Sequence, residues 1–134
     1  MDKKTVVEKW FNDVFTKGDV ATLKNITKPD FISHVPGRDF NGHDEFINDF
    51  MNWFRTVFIN DEWTINDFLE DGNRIAVRYK GYMTYKGGWE DVPSNDQRVK
   101  ETDIMIVKFE GELISEMWCE MSDLNVMQQL RSTL

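Results

Sequence analysis

The sequence predicts an α+β domain in which helices come first and a long antiparallel sheet follows. Apolar residues recur at helical spacing up to residue 58, whereas apolar and polar residues alternate from Glu62 onward. Glycine-containing turns divide the alternating part into strands. Helices and strands segregated in this way pack as a helical layer on one face of a sheet. The chain of 134 residues is long enough for one such domain, spanning 1–134, with a single core.

The first half of the chain predicts three helices and one short strand. Helical spacing indicates a first helix from Thr5 to Lys17. Asp19 is suited to be the N-cap of a short second helix, which has to end before Pro29. A short strand over Phe31–Val35 follows, and a turn-rich segment then leads into a third, aromatic-rich helix that begins near Asp44.

The second half predicts an antiparallel meander of four strands and a closing helix. The strands are Trp63–Glu70, Arg74–Tyr85, Arg98–Phe109 and Leu113–Met121, and the helix is Leu124–Leu130. The third of these strands is apolar on both faces, because Ile104 and Ile106 alternate with Met105 and Val107. Helices cover one face only. We therefore expect a second copy of the chain on the other face, in a homodimer; cover by the chain's own loops is the alternative.

Composition and charge exclude several classes of partner. The net charge of −8 comes without a basic cluster, so neither nucleic acid nor an anionic membrane is an expected partner. Apolar runs are far shorter than the roughly 20 residues that span a bilayer, and the first ten residues lack the apolar stretch of a signal peptide. The single cysteine, Cys119, cannot form an internal disulfide. These observations predict a cytoplasmic protein.

Several short motifs occur in a characteristic order along the chain. They are His34-Val-Pro36 followed by Gly42, an aromatic-rich helix, Asp71-Gly72 through Val77, Pro93-Ser94, Glu110 through Trp118, and Met127 through Leu130. In order and spacing they resemble the SnoaL-like polyketide cyclases over nearly the whole chain. The resemblance implies the nuclear-transport-factor-like fold, a curved antiparallel sheet wrapped on helices to form a cone with an apolar pocket at its open end. That superfamily includes cyclases, isomerases, dehydratases, hydrolases and non-catalytic binding proteins, so the fold leaves the activity open.

Asp123 is the first candidate for chemistry. The resembled family has an acid/base aspartate four residues after the tryptophan; that position is Ser122 here, and Asp123 comes one residue later. Burial in an apolar pocket raises the pKa of a carboxyl group, and a carboxylate so placed can remove a proton next to a carbonyl. The alternative is a structural role for Asp123 as an acid at the start of the terminal helix.

His34 and Glu116 are the other catalytic candidates. His34 lies where enzymes of the resembled superfamily point a polar group into the cavity, and an imidazole there can shuttle a proton; the alternative is a histidine bonded to the backbone of its turn. Glu116 shares a strand face with Trp118, and the two line the cavity if that face turns inward; otherwise Glu116 is solvated and Trp118 packs between subunits. For Glu101 and Asp103, on the preceding strand, we expect solvation at the sheet edge.

Aromatic residues supply the expected pocket walls. The residues expected to line the pocket are Trp10, Phe15, Phe50, Phe54, Tyr79 and Trp118, although most aromatic side chains at helical spacing pack in a core. The only two histidines, His34 and His43, lack metal-ligand partners at suitable spacing, so no metal site is expected. No cofactor is expected either, because phosphate-binding glycine loops and nucleophile elbows are absent. Cys119 is interpreted as a buried structural thiol.

These observations favour an enzyme of the cyclase, isomerase or lyase type. It would act on a small apolar carbonyl compound by cofactor-free acid/base catalysis, with Asp123 or His34 as the base. The alternative is a small-molecule binding protein with the same pocket and no chemistry, and a third hypothesis is a purely structural dimer. Enzyme and binding protein differ in whether two titratable side chains converge inside the cavity.

Overall fold

The computed structural model describes residues 1–134, and it confirms the α+β class with a curled sheet against helices. The first helix combines α1 (Lys3–Lys9) with a π-helical segment (Trp10–Thr16), and α2 is Val20–Ile26. The third predicted helix comprises α3 (Gly42–Phe46), a π-helical segment (Ile47–Met51) and α4 (Asn52–Val57), and α5 (Asp123–Ser132) closes the chain. Every helix falls short of the length and apolar character needed to cross a membrane.

Six strands form one sheet in the order β2-β1-β6-β5-β4-β3. The strands are β1 (Thr27–Val35), β2 (Arg38–Asn41), β3 (Phe58–Asp71), β4 (Arg74–Tyr85), β5 (Arg98–Glu110) and β6 (Leu113–Glu120). The last four are the predicted antiparallel meander. β1 adds to it in parallel with β6, and the short β2 pairs with β1 as an antiparallel edge.

Several boundaries differ from the prediction: β1, for example, begins at Thr27 instead of Phe31, and two further differences have a clear local cause. The segment expected to be only a turn contains β2, because Phe40 packs into the core and stands opposite Ser33 in register. β3 begins at Phe58 rather than Trp63, because the pairing is irregular before Glu62 and Asn60 has a left-handed backbone with φ of 53°. That irregularity breaks the alternation of side chains from which the strand was predicted.

Alternation along the strands gives the sheet an inner face against the helices and an outer face away from them. On β5, Met105 and Val107 are buried on the inner face, whereas Ile104 is 52% exposed and Ile106 is 40% exposed on the outer face. The outer face is therefore as apolar at this strand as the sequence indicated. Its cover by a second copy of the chain stays a prediction.

Gly81 allows an indole to lie directly on β4. A Cβ atom at Gly81 would come within 2.5 Å of the Trp63 ring, so any other residue would displace the indole. Trp63 donates from Nε1 to the buried carboxylate of Asp61 (2.7 Å), which Arg55 also contacts (3.0 Å). The indole ring stacks on Phe11 at a centroid distance of 5.7 Å. This packing fixes one end of the sheet against the first helix.

Candidate functional site

A cavity of about 140 Å³ lies between the inner face of the sheet and the helices. Twelve of its fifteen lining residues are hydrophobic, which makes it an apolar pocket with a few polar groups. The lining comprises Trp10, Phe15, Ser33, Val35, Phe46, Phe50, Trp53, Phe54, Phe58, Tyr79, Trp89, Glu101, Cys119, Met121 and Asp123.

The two π-helical segments supply part of the aromatic wall. Trp10 and Phe15 come from the first segment and Phe50 from the second. The Phe15 ring lies between the Trp10 ring and the Phe50 ring, with centroid distances of 5.5 Å and 5.9 Å. A π-helical turn holds one more residue than an α-helical turn and often occurs at functional sites. Both departures from regular helix in this chain thus lie at the cavity.

Two acids of β5 lie on the inner face, where the helices bury them. Glu101 is 8% exposed and lines the cavity, and Asp103, two residues further along the same face, is 3% exposed. One Asp103 oxygen, Oδ1, accepts a hydrogen bond from the Ser122 backbone N–H at 2.9 Å. The other, Oδ2, is buried without any hydrogen-bond partner. The expectation that these two acids are solvated is therefore wrong, since the curled sheet carries this end of β5 under the helical layer.

Asp123 reaches the cavity because of where β6 ends. The strand stops at Glu120, and the hydrogen bond to Asp103 holds Ser122 as the chain turns into α5. Asp123 is the first residue of that helix and lines the cavity, whereas Ser122 does not. Burial raises the pKa of the Asp123 carboxyl, and the nearby charge of Asp103 raises it further. Both roles weighed from the sequence, first-turn acid and cavity acid, thus fall on the same residue.

Burial also shifts the pKa values of the other titratable groups in the lining. It raises the pKa of Glu101 well above its usual range, and the neighbouring carboxyl of Asp103 adds to the shift. The pKa of Tyr79 is raised well above its usual value, chiefly by burial. Burial also raises the pKa of the Cys119 thiol to about 12, and the nearby charge of Asp103 contributes to the rise. The thiol therefore stays protonated at neutral pH. All of these shifts favour the neutral form of an acid.

Three predicted site residues lie outside the cavity. His34, Glu116 and Trp118 are on the outer face of the sheet, because side chains alternate along a strand and their neighbours Ser33 and Cys119 point inward. The expectation that Trp118 lines the pocket is thus corrected. The catalytic roles predicted for His34 and Glu116 would place them in the cavity, and the structure puts both on the opposite side of the sheet.

On the outer face, His34 is held between two carboxylates. Its Nε2 lies 2.6 Å from Glu116 and its Nδ1 lies 2.7 Å from Asp39. The hydrogen bond with Glu116 raises the pKa of His34, partial burial opposes the rise, and Asp39 adds to it. The imidazole stacks on Trp118 at 5.4 Å, and Arg74 lies over the same indole at 5.4 Å. His34 therefore bonds to side chains, not to the backbone of its turn.

The remaining predicted wall residues lie in the lining. They are Trp10, Phe15, Phe50, Phe54 and Tyr79. The predicted set did not include several other lining residues, among them Phe46 on α3, Val35 and Glu101 on the strands, and Trp89 in the β4–β5 loop. A signal for Glu101 was present in the sequence, because it alternates in phase with Met105 and Val107, which are buried on the inner face.

The cavity thus combines an apolar volume with two titratable carboxyls. No lysine, arginine or histidine lines it, and neither Glu101 nor Asp123 forms a salt bridge. No cluster of His, Cys, Asp and Glu in the chain has the arrangement of a metal site. Such a pair of carboxyls is able to take a proton from a bound molecule and return one to it.

The fold is shared with several solved structures. A SnoaL-like protein from Jannaschia sp. CCS1 aligns with a TM-score of 0.85 at 18% identity, covering 95% of this chain and 90% of that one. IdmH from Streptomyces antibioticus, named as a candidate polyketide cyclase, aligns at 0.84 and 18% identity over 97% and 99%. AclR from Streptomyces galilaeus, named as a candidate hydroxylase, aligns at 0.81 and 16% identity over 96% and 80%. A search of curated protein sequences found no match.

The fold and the apolar cavity define a small α+β domain of the nuclear-transport-factor-like type. The sequence profile of the SnoaL-like polyketide cyclases matches residues 5–130, which is nearly the whole chain. The chain therefore belongs to the SnoaL-like polyketide cyclase family.

Proposed function

We propose that the protein is an enzyme that performs acid/base chemistry on a small apolar carbonyl compound bound in the cavity. The observation that carries the proposal is the convergence of two titratable carboxyls, Asp123 and Glu101, on one apolar cavity. The family assignment supports a cyclase, isomerase or lyase, reactions that begin with removal of a proton next to a carbonyl.

In this proposal Asp123 is the general base. Its carboxylate takes the proton from the carbon next to the carbonyl, and the electron pair of that C–H bond moves toward the carbonyl oxygen. The Glu101 carboxyl donates its proton to that oxygen, so that an enol forms and no net charge is created in the cavity. Return of the proton to a different carbon gives isomerisation, and attack of the enol on a second carbonyl gives ring closure.

The environments of the two carboxyls suit these different roles. Glu101 is deeply buried beside a second carboxyl and has its pKa raised well above the usual range, so it retains its proton. Asp123 is only half-buried, at the first turn of α5, and its pKa is raised less than that of Glu101. As the pH rises, Asp123 therefore ionises before Glu101. Two acids with separated pKa values are the usual arrangement for an acid and a base in one site. Activity should rise with pH as Asp123 ionises and fall again as Glu101 loses its proton.

Exchange of ketone protons for solvent deuterium tests the base directly. Acetophenone incubated with the protein in D₂O buffer should exchange its α protons for deuterium faster than in the same buffer without protein, and NMR follows the loss of the α-proton signal. Asp123→Asn removes the base but keeps the size of the side chain, and it should slow the catalysed exchange by roughly 10²- to 10⁴-fold. Asn is also tolerated at a helix start, so folding should be retained.

Glu120→Gln is the matched control, because Glu120 is an exposed acid at the end of β6 and does not line the cavity. It should leave the exchange rate unchanged. Full exchange activity in Asp123→Asn would contradict the assignment of the base. Absence of catalysed exchange in the unmodified protein, with acetophenone and larger cyclic ketones alike, would contradict the proposed enzyme.

A binding protein without chemistry is the second candidate. The observation in its favour is the position of Asp123 at the first turn of α5, where an acid also stabilises the helix. A binder predicts that cavity ligands raise the melting temperature while no ketone is exchanged, and that Asp123→Asn leaves ligand affinity nearly unchanged. Measuring exchange and thermal shift on the same ketones separates the two candidates.

A further inference from the structure

The cavity is small for a member of a family named after polyketides. Its volume of about 140 Å³ is close to that of an engineered apolar cavity of about 150 Å³ that holds one benzene molecule. Sites for drug-sized ligands commonly reach about 300–1,000 Å³. A fused ring system of three or four rings therefore exceeds the space enclosed here.

Phe50 stands at the wall that limits this volume. Its ring packs between Phe46 (5.3 Å) and Phe54 (6.1 Å), and all three line the cavity. A narrow crevice, too tight to hold a water molecule, lies along the same helix and shares Phe15, Phe50 and Phe54 with the cavity, so these rings separate the two spaces. A shorter side chain at residue 50 would enlarge the cavity toward that crevice.

The charges around the cavity discriminate against anions. Glu101 is more than nine-tenths buried and lines the cavity, and the titratable group beside it is another carboxyl, that of Asp103, rather than a basic side chain. The buried Asp103 Oδ2 receives no hydrogen bond from a basic side chain. Since no basic side chain lines the cavity, a ligand carboxylate would be buried among carboxyl groups without a compensating charge, which is strongly unfavourable. A carbonyl oxygen instead accepts a hydrogen bond from a protonated carboxyl.

We propose that the ligand of this cavity is an uncharged carbonyl compound of about one ring in size, and that Phe50 sets this size limit. The inference uses the same cavity as the proposed function and names its substrate class. It rests on volume and charge and does not require that the protein catalyse a reaction.

Quenching of tryptophan fluorescence measures binding without turnover, because Trp10, Trp53 and Trp89 line the cavity. The probes are acetophenone with one ring, 2-acetylnaphthalene with two and 2-acetylanthracene with three. The three-ring ketone should bind at least roughly 10-fold more weakly than acetophenone, although its greater apolar area favours binding in general. Equal or tighter binding of the three-ring ketone would overturn the size limit.

Phe50→Leu tests whether Phe50 sets the size limit of the cavity. This variant keeps an apolar helix side chain and should bring the affinity for 2-acetylnaphthalene up to or above that for acetophenone. Phe40→Leu is the matched control, because Phe40 packs on Phe50 at 5.4 Å from outside the lining. An unchanged ring preference in a folded Phe50→Leu protein, checked by circular dichroism, would remove Phe50 from the proposal.

Benzoate tests the charge. It has the ring of acetophenone with a carboxylate in place of the ketone, and it should bind at least roughly 10-fold more weakly at pH 7. Equal binding of benzoate would overturn the exclusion of anions. These binding measurements are independent of the deuterium exchange. A protein that exchanges no ketone protons, but binds acetophenone more tightly than the three-ring ketone and benzoate, would contradict the proposed function. The inference about the ligand would then still hold.

Discussion

The two faces of the sheet carry two clusters of ionisable groups, and they differ in how each group is paired. On the inner face Glu101 and Asp103 are buried and form no salt bridge. On the outer face His34 is held by Glu116 and Asp39 in partial contact with solvent. The pKa is raised in both clusters, but with opposite consequences for charge. The shift favours the neutral form of the inner acid Glu101 and the positive form of the outer imidazole.

The difference teaches that a raised pKa has no single meaning for function. Desolvation is the largest cause for Glu101, and a hydrogen bond to a carboxylate is the largest cause for His34. A desolvated acid keeps its proton up to a higher pH than usual, so it is able to donate that proton to a molecule bound beside it. A histidine held by two carboxylates is stabilised in its charged form, and in this chain it lies outside the cavity. Chemistry is therefore expected on the inner face.

The largest effect is predicted for Ile106→Glu on the outer face. If two copies pack through Ile104 and Ile106, the protein sediments at twice the chain mass of 15.9 kDa, and an unpaired charge at this position weakens the dimer by roughly 100-fold or more. Leu124→Glu is the control, because Leu124 is also an exposed apolar residue but lies on α5. A monomer at micromolar concentration in analytical ultracentrifugation would contradict the prediction.

A smaller effect is predicted for Glu101→Gln on the inner face. Because the pKa of Glu101 is raised on folding, the stability of the native protein is full below the unfolded pKa near 4.5 and declines as pH rises toward the folded value. Gln cannot ionise, so the variant should be more stable than the native protein at pH 8, by about 1–3 kcal/mol, and the gain should vanish near pH 4.

Chemical denaturation at the two pH values measures this difference. Glu120→Gln, in an exposed position, should show no such gain at either pH. A Glu101→Gln variant that is less stable at pH 8 would show that the Glu101 carboxylate has a countercharge in solution, and the contrast between the two faces would fail.

The smallest effect is predicted for His34→Gln. A raised pKa of a base means that its stabilising contribution is complete below the unfolded pKa of about 6.5 and is lost as pH rises through the folded value. The variant should therefore lose stability at pH 5.5 and little at pH 9, and partial exposure limits the loss to about 1 kcal/mol. NMR titration of the imidazole should show its pKa falling in Glu116→Gln. An unchanged pKa in that variant would contradict the pairing.

The sequence by itself determined the element types, their order and the alternation along each strand. The period of apolar residues fixed the meander from Arg74 onward, because each half-buried strand needs one apolar face. The motifs that run from His34-Val-Pro36 to Met127 through Leu130 were enough to indicate the family. The sequence also identified Asp123 and five of the aromatic lining residues as site candidates.

Only the tertiary structure decided which face of each strand looks into the cavity. Alternation states that Trp118 and Cys119 point in opposite directions, but it does not state which of them points inward, because that depends on the side of the sheet on which the helices pack. Because the helices pack on the side to which Cys119 points, His34 and Glu116 lie on the outer face and Glu101 lies under the helices. The burial of Glu101 beside Asp103 and near Asp123, which raises its pKa, is a property of three residues that are brought together by the curl of the sheet and the turn after β6. The proximity of these three residues follows from long-range packing, which the local sequence does not encode.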